Sequence, residues 1–310
     1  MTSSLPPRSG PLRPSALLAV AGLLGLNLGA SLWMRDQVPS WLPVQASAAA
    51  PHVDALFALE TAIGTFLFLG CLEAILWTVL VHRAPKYDLE NGDPIEGNTR
   101  LEAIWTVTPL ILVMAIAWHA IHVSDTLATL GGKQRVAGSA EALALAEGAA
   151  GGPIQVIARQ WSWEFVYPDG VRSAELHLPV NQPASFELVS LDVLHGFYVP
   201  AFRLKQDIIP GSVIRYRLTP TRIGRYRLRD SMFSGAYFAA NQTDVVVQSE
   251  ADFGAWLRKA ATQPLTPSWN APSEQHRRRL ERGDRGWAVV PPAPPPLVNV
   301  GLDPAASHEA

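Results

Sequence analysis

Three long apolar runs open the chain, and short alternating ones follow. The first run, SALLAVAGLLGLNLGASLWM at 15–34, holds about 20 residues, enough for one membrane crossing. The second, VDALFALETAIGTFLFLGCLEAILWTVLV at 53–81, is long enough to cross with tilt. It carries Glu60 and Glu73, whose carboxylates must face protein or water because hydrocarbon solvates neither. Glu60 is expected near an interface and Glu73 against a partner subunit. The third, LEAIWTVTPLILVMAIAWHAIHV at 101–123, has Trp105 and Trp118 towards its ends, suited to the two interfaces, and a Pro109 kink that membrane helices tolerate.

From residue 153 the period changes to two. IQVIARQWSWEFVYP, AELHLPV, ASFELVS, GFYVPAF, SVIRYRLTP, GRYRLRD and TDVVVQS are short and separated by Pro, Gly or Asn turns, which predicts a β-sandwich or Greek-key barrel. The expected organisation is a tail, signal or anchor and linker at 1–52, a transmembrane helical hairpin at 53–123, a Gly/Ala-rich linker at 124–152, a β-domain at 153–257, and a disordered Pro-rich tail at 258–310. Two readings of the first run stay open. VQASAAAP at 44–51 offers the small residues of a signal cleavage site, while the run's length suits a retained anchor, the preferred reading.

Charge sets the orientation. Arg8, Arg13, Arg83, Lys86 and Arg100 share one side if all three runs span, whereas 35–52 contributes only Arg35. The positive-inside rule then leaves the β-domain outside, in a periplasm or lumen. A charged fraction of 17% and net charge of −2 fit a membrane protein and imply no nucleic-acid partner. The single cysteine, Cys71, lies in the second run, which excludes an internal disulfide and a Cys-x-x-Cys pair.

Three segments in order, GNTRLEAIWTVTP at 97–109, RQWSWEF at 159–165 and DVLHGFYVPAFRLKQDIIPG at 192–211, resemble subunit II of the haem–copper terminal oxidases. The resemblance implies a membrane-anchored hairpin followed by a cupredoxin-like Greek-key β-sandwich. It also implies partnership with subunit I, which carries haem and CuB, and with subunit III. Most members hold a binuclear copper centre, CuA, on one upstream His and a Cys-x-Glu-x-Cys-x-x-x-His-x-x-Met hairpin. Here His195 matches the upstream His, but Asp230, Met232, Ser234, Phe238 and Asn241 stand at the five hairpin positions. Without thiolate the soft-copper ligand set is gone, so no cofactor is expected in this chain. DSMFSGAYFA at 230–239 is most similar to the CuA-less subunit II of the cyanobacterial alternative respiratory terminal oxidase. That implies a quinol-fed oxidase in which this chain is structural.

The resemblance also singles out two further residues. Glu102 matches the carboxylate at the mouth of a proton pathway into subunit I, beside the plain reading of an acid favoured at a helix start. Trp161 matches the aromatic on the electron-receiving face, a role that lapses without CuA. Between Arg203 and Arg229 stand Arg203, Lys205, Arg215, Arg217, Arg222, Arg225, Arg227 and Arg229, opposed only by Asp207, a poor dock for a basic cytochrome. Two alternatives remain: subunit II of a cytochrome-c oxidase fed by an acidic soluble donor, and a free-standing cupredoxin-like binding module.

Overall fold

A computed structural model describes residues 14–81, 87, 97–130, 135–136, 152–270, 272, 274, 278–279, 281–283 and 294–300. The orientation residues Arg8, Arg13, Arg83 and Lys86 lie outside these. The chain divides into two compact units. One takes in residues up to Leu42 with Asp54–Ala120, and the other Pro43–Val53 with Ile121 onward.

The membrane unit holds three helices, α1 (Pro14–Trp41), α2 (Ala50–Val81) and α3 (Thr99–Thr129). Each exceeds the roughly 20 residues that cross a bilayer. Their apolar side chains, Leu18, Phe68 and Ile111 among them, point outward, as lipid-facing helices require. Asn98 starts α3, its Oδ1 accepting from the backbone N–H groups of Arg100 (3.1 Å) and Leu101 (3.2 Å), two donors a helix start leaves without partners. Glu73 was expected to meet a partner subunit. Its carboxylate accepts a hydrogen bond from Asn27 of α1, at 3.4 Å.

The second unit is a two-sheet β-sandwich. Its strands are β1 (Arg135–Val136), β2 (Ile154–Arg159), β3 (Ser162–Val166), β4 (Arg172–Ser173), β5 (Leu176–Pro179), β6 (Ala184–Ser190), β7 (His195–Val199), β8 (Leu204–Ile208), β9 (Ile214–Leu218), β10 (Gly224–Asp230) and β11 (Gln242–Gln248). One sheet runs β1-β9-β6-β2-β3-β4 and the other β5-β11-β10-β7-β8. Parallel pairs, β2 with β6 and β11 with β5, give each sheet a crossover, while the other ladders are antiparallel. Val156, Phe165, Leu176, Phe186, Leu188, Phe197, Leu228 and Val245 fill the space between the sheets, at the alternate positions the period of two selects.

Four details differ from the sequence reading. The run 154–166 is two strands, because β2 and β3 pair in a register that leaves Gln160 and Trp161 as the turn. LKQDI, too polar to read as a strand, forms β8, an edge strand that pairs only with β7. Within 124–152, α3 continues to Thr129, and Arg135 and Val136 add an edge strand to β9.

The tail from 258 was read as disordered, and its described part is not. Helix α4 (Glu250–Ala261) crosses that boundary, with Ser249 capping it through the Asp252 N–H (3.1 Å), Glu250 and Asp252 in its first turn and Arg258 and Lys259 in its last. Beyond it β12 (Thr266–Pro267) pairs with β13 (Leu297–Val298). Val298 is buried, and the Asn299 side chain accepts from Arg172 N (2.8 Å) and donates to Gln263 O (2.9 Å). Burial of one valine and these amide contacts fold the returning chain onto β4. Residues 284–293 and 301–310 of that tail lie outside the described residues.

Candidate functional site

Strand ends bring the site together. His195 is the first residue of β7 and Asp230 the last of β10, adjacent antiparallel strands in which Asp230 faces Phe197. The loop after β10 returns through Ser234 to Asn241, just before β11, and closes when Asp230 N donates to Asn241 O at 3.1 Å. Gly196 makes the approach possible: a Cβ there would lie 2.1 Å from Ser231 Oγ and 3.0 Å from two backbone nitrogens. Gly235 carries the turn at φ +114°, and a Cβ would meet Gln160 Nε2 at 2.8 Å and the Trp161 ring at 3.0 Å.

At the centre stands the Asp230 carboxylate. Its Oδ2 accepts from His195 Nδ1 (2.7 Å), Ser234 Oγ (2.8 Å) and Asn241 Nδ2 (3.0 Å). Its Oδ1 accepts from the backbone N–H groups of Gly196 (2.8 Å) and Met232 (3.1 Å). A carboxylate offers about four lone-pair sites, so these contacts use up its accepting capacity. The other imidazole nitrogen, His195 Nε2, meets Asp192 Oδ1 at 2.7 Å. Asp192 also accepts from Gln160 N (2.7 Å) and Val193 N (2.7 Å).

The electrostatics follow from this geometry. Burial opposes a charged imidazole, and His195 is fully buried. The hydrogen bonds and negative charges of Asp192 and Asp230 outweigh it and raise the His195 pKa to about 9. Burial likewise pushes the Asp230 carboxyl up, but the hydrogen bonds from His195, Gly196 and Ser234 hold it below its ordinary value. Asp192 is held low in the same way by His195 and two backbone amides. At neutral pH the cluster is an imidazolium donating from both nitrogens to two carboxylates. Both ring nitrogens are thus engaged by carboxylates, and a metal ion would reach the ring only by displacing one of them together with its proton.

Of the six positions matched to CuA ligands, four converge: His195, Asp230, Ser234 and Asn241. Met232 contributes only its backbone N–H, while its sulfur lies 3.9 Å from Lys205 Nζ. Phe238 turns away to pack on Phe233, ring centroids 5.2 Å apart. Trp161 is buried against the hairpin turn, its indole donating to Ser234 O (3.2 Å) and its ring edge-on to Tyr237 at 5.0 Å. Trp163 packs beside His195 at 6.2 Å and donates to Asn241 O at 3.2 Å. Glu102 belongs to the membrane unit, exposed in the first turn of α3.

Asp192 and Gln160, which no motif singled out, complete the cluster. The Asp-x-x-His spacing of Asp192 and His195 was the available signal. His177 stacks on Trp256 of α4 at 3.9 Å and meets Gln248 Oε1 at 3.3 Å. The basic stretch is partly neutralised in three dimensions. Arg225 and Arg227 share Asp244, Arg225 also reaches Glu175, and Arg215 pairs with Glu187.

Two family profiles match the chain. That of the cytochrome c oxidase subunit II transmembrane domain covers residues 36–123, and that of its periplasmic domain covers 171–249. Cytochrome c oxidase subunit 2 of Thermostichus vulcanus is 34% identical over 267 residues, covering 73% of this chain and 81% of that one. The protein of the same name from Synechocystis is 30% identical over 265 residues, covering 76% and 80%. Quinol oxidase subunit 2 of Bacillus spizizenii is 26% identical over 259 residues, covering 82% and 73%.

Proposed function

Because the chain belongs to the cytochrome c oxidase subunit II family, we propose that it is the subunit II of a quinol-oxidising haem–copper oxidase, with its CuA centre replaced by a hydrogen-bonded ion cluster. As a subunit II it is an integral membrane protein whose β-domain lies outside the cytoplasm, beside the subunit I that reduces oxygen. Electrons from quinol would pass directly to subunit I, and the outer domain of this chain would brace the assembly without carrying current.

The observation that carries this reading is the Asp230 carboxylate at the first thiolate position. It gathers His195, Ser234 and Asn241 onto one oxygen. A bridging thiolate pair supplies the delocalised electron of CuA, and oxygen ligands on a hard carboxylate do not. The cluster ties the two ends of the hairpin together through hydrogen bonds among its own residues. Relatives of both names, cytochrome c oxidase subunit 2 and quinol oxidase subunit 2, match the chain, so the choice of donor rests on the hairpin.

Glu102 is assigned proton collection. As α3 leads outward into the β-domain, its first turn faces the cytoplasm, where an exposed carboxylate can take protons from bulk water and pass them inward. A soluble acidic donor docking on the Arg-rich stretch is the weaker reading, since that stretch is divided between β9 of one sheet and β10 of the other, and Glu187, Glu175 and Asp244 pair with Arg215, Arg225 and Arg227.

The deciding experiment compares oxygen uptake by the purified complex with a reduced quinol and with reduced cytochrome c, side by side. Quinol is expected to sustain turnover and cytochrome c to fail. Turnover with cytochrome c alone, or a near-infrared CuA band in the complex, overturns the proposal. Glu102→Gln is expected to slow turnover while leaving complex assembly intact.

A further inference from the structure

Helix α1 lies largely outside the matched transmembrane region, which begins at residue 36, yet polar contacts tie it to α2. Asn27, halfway along α1, is 1% exposed, although most of its neighbours on the helix are open. Its Nδ2 donates to the Phe66 carbonyl at 3.2 Å and to Glu73 Oε2 at 3.4 Å. Ser31, one turn on, donates to Asn27 O at 2.8 Å. Gly70 leaves the room: a Cβ there would already touch Asn27 Nδ2 at 3.5 Å. Small residues that let helices approach, with a carboxamide bonded across the gap, are the devices that hold membrane helices together. Without α1, the Glu73 carboxylate would lose that partner within an apolar helix, a costly place for it.

The connection after α1 is equally committed. The small-residue stretch 44–51, which offered itself as a cleavage site, is built into the outer domain. Ala46 N donates to Ala201 O (2.9 Å), Thr221 N to Ala46 O (2.9 Å) and Ala48 N to Thr219 O (3.0 Å). Ser47 Oγ donates to Phe202 O at 2.8 Å, and Ala46 is part of the buried core. Cutting between 46 and 50 would strip the sandwich of a core residue and of backbone partners for β-domain groups.

We infer that α1 is retained in the mature protein as a third membrane helix, clasped to α2 through Asn27 and Glu73, with 43–53 a structural strap of the outer domain. Glu73 then has a hydrogen-bond donor, Asn27, within its own chain.

Intact-mass measurement of the unaltered chain, purified in its complex, tests retention directly. The expected mass includes α1, with or without the initiator Met. An N-terminus between Ala46 and Pro51 overturns the inference. The clasp has its own test in membranes, in a Cys71→Ala background. Oxidation of the pair Asn27→Cys with Gly70→Cys is expected to consume nearly all maleimide-reactive thiol, while Leu26→Cys with Gly70→Cys stays reactive. Equal reactivity of the two pairs refutes the clasp. Should neither pair accumulate, the intact mass still decides retention.

Discussion

Replacing His195 with Gln removes the one positive charge between two carboxylates while keeping a polar side chain near the same volume. The magnitude follows from linkage. The imidazole has an ordinary pKa of 6.5 and is raised to about 9 in the folded protein. The gap corresponds to about 3 kcal/mol of folding stability. The folded value lies above the unfolded one, so this contribution is complete below pH 6.5, declines as pH rises, and is gone above about pH 9. Asp192 and Asp230 act at the other end: both are held below their ordinary 3.8, so their contribution is full above that value and is lost as acid protonates the folded carboxylates.

The assay is thermal unfolding of the full chain in detergent, from pH 5 to pH 10, followed through the fluorescence of tryptophans that include Trp161 and Trp163 beside the hub. For a domain of this size, about 3 kcal/mol corresponds to a fall in Tm of roughly 10 °C or more. The wild type should lose that amount between pH 6 and pH 9.5 relative to His195→Gln, which starts lower and changes less. Parallel pH profiles for the two proteins would refute the imidazolium assignment and, with it, the argument that both ring nitrogens are engaged as donors.

Three further outcomes follow from the same geometry. Grafting the ligand set, Asp230→Cys with Met232→Glu, Ser234→Cys, Phe238→His and Asn241→Met, should give a copper-loaded protein with a near-infrared band that the wild type lacks; a graft that binds no copper would mean the hairpin has lost the backbone geometry as well as the ligands. Gly235→Ala forces a side chain into φ +114° and against Gln160 and Trp161, and should cost about 1–3 kcal/mol in denaturant unfolding. Glu164 is buried between Arg159 (2.9 Å) and Arg172 (2.5 Å), so Glu164→Gln should cost about 2–3 kcal/mol, less than for a fully buried pair because Arg172 is partly exposed; an unchanged denaturation midpoint would show the triad to be neutral.

Much of the architecture was legible in the order of residues, because it rests on periodicity. Runs of about 20 apolar residues have few homes other than a bilayer. Alternation along the later segments marked most of the strands, since a pleat places every second side chain in the core. The loss of thiolate ligands was equally plain: chemistry that needs a side-chain type is excluded where that type is missing. The ordered tail beyond α4 was hidden, because its two short strands come from segments about 30 residues apart and carry almost no pattern of their own. The polar edge strand LKQDI was hidden for a related reason: an edge owes its conformation to a neighbour's hydrogen bonds.

Tertiary structure alone decided what took the metal's place. Asp192 and Asp230 are 38 positions apart, and only the meeting of β7 with β10 sets them on opposite nitrogens of one buried ring. Nothing in the sequence of a hairpin says that its aspartate will accept five hydrogen bonds, because two of the donors come from a neighbouring strand and three from the loop that folds back over it. The same holds for Asn27 and Glu73, polar residues that look costly in separate helices and become partners once the helices pack. Composition determines which groups are present. Their charge state and partners depend on distance and burial, which only the folded chain supplies.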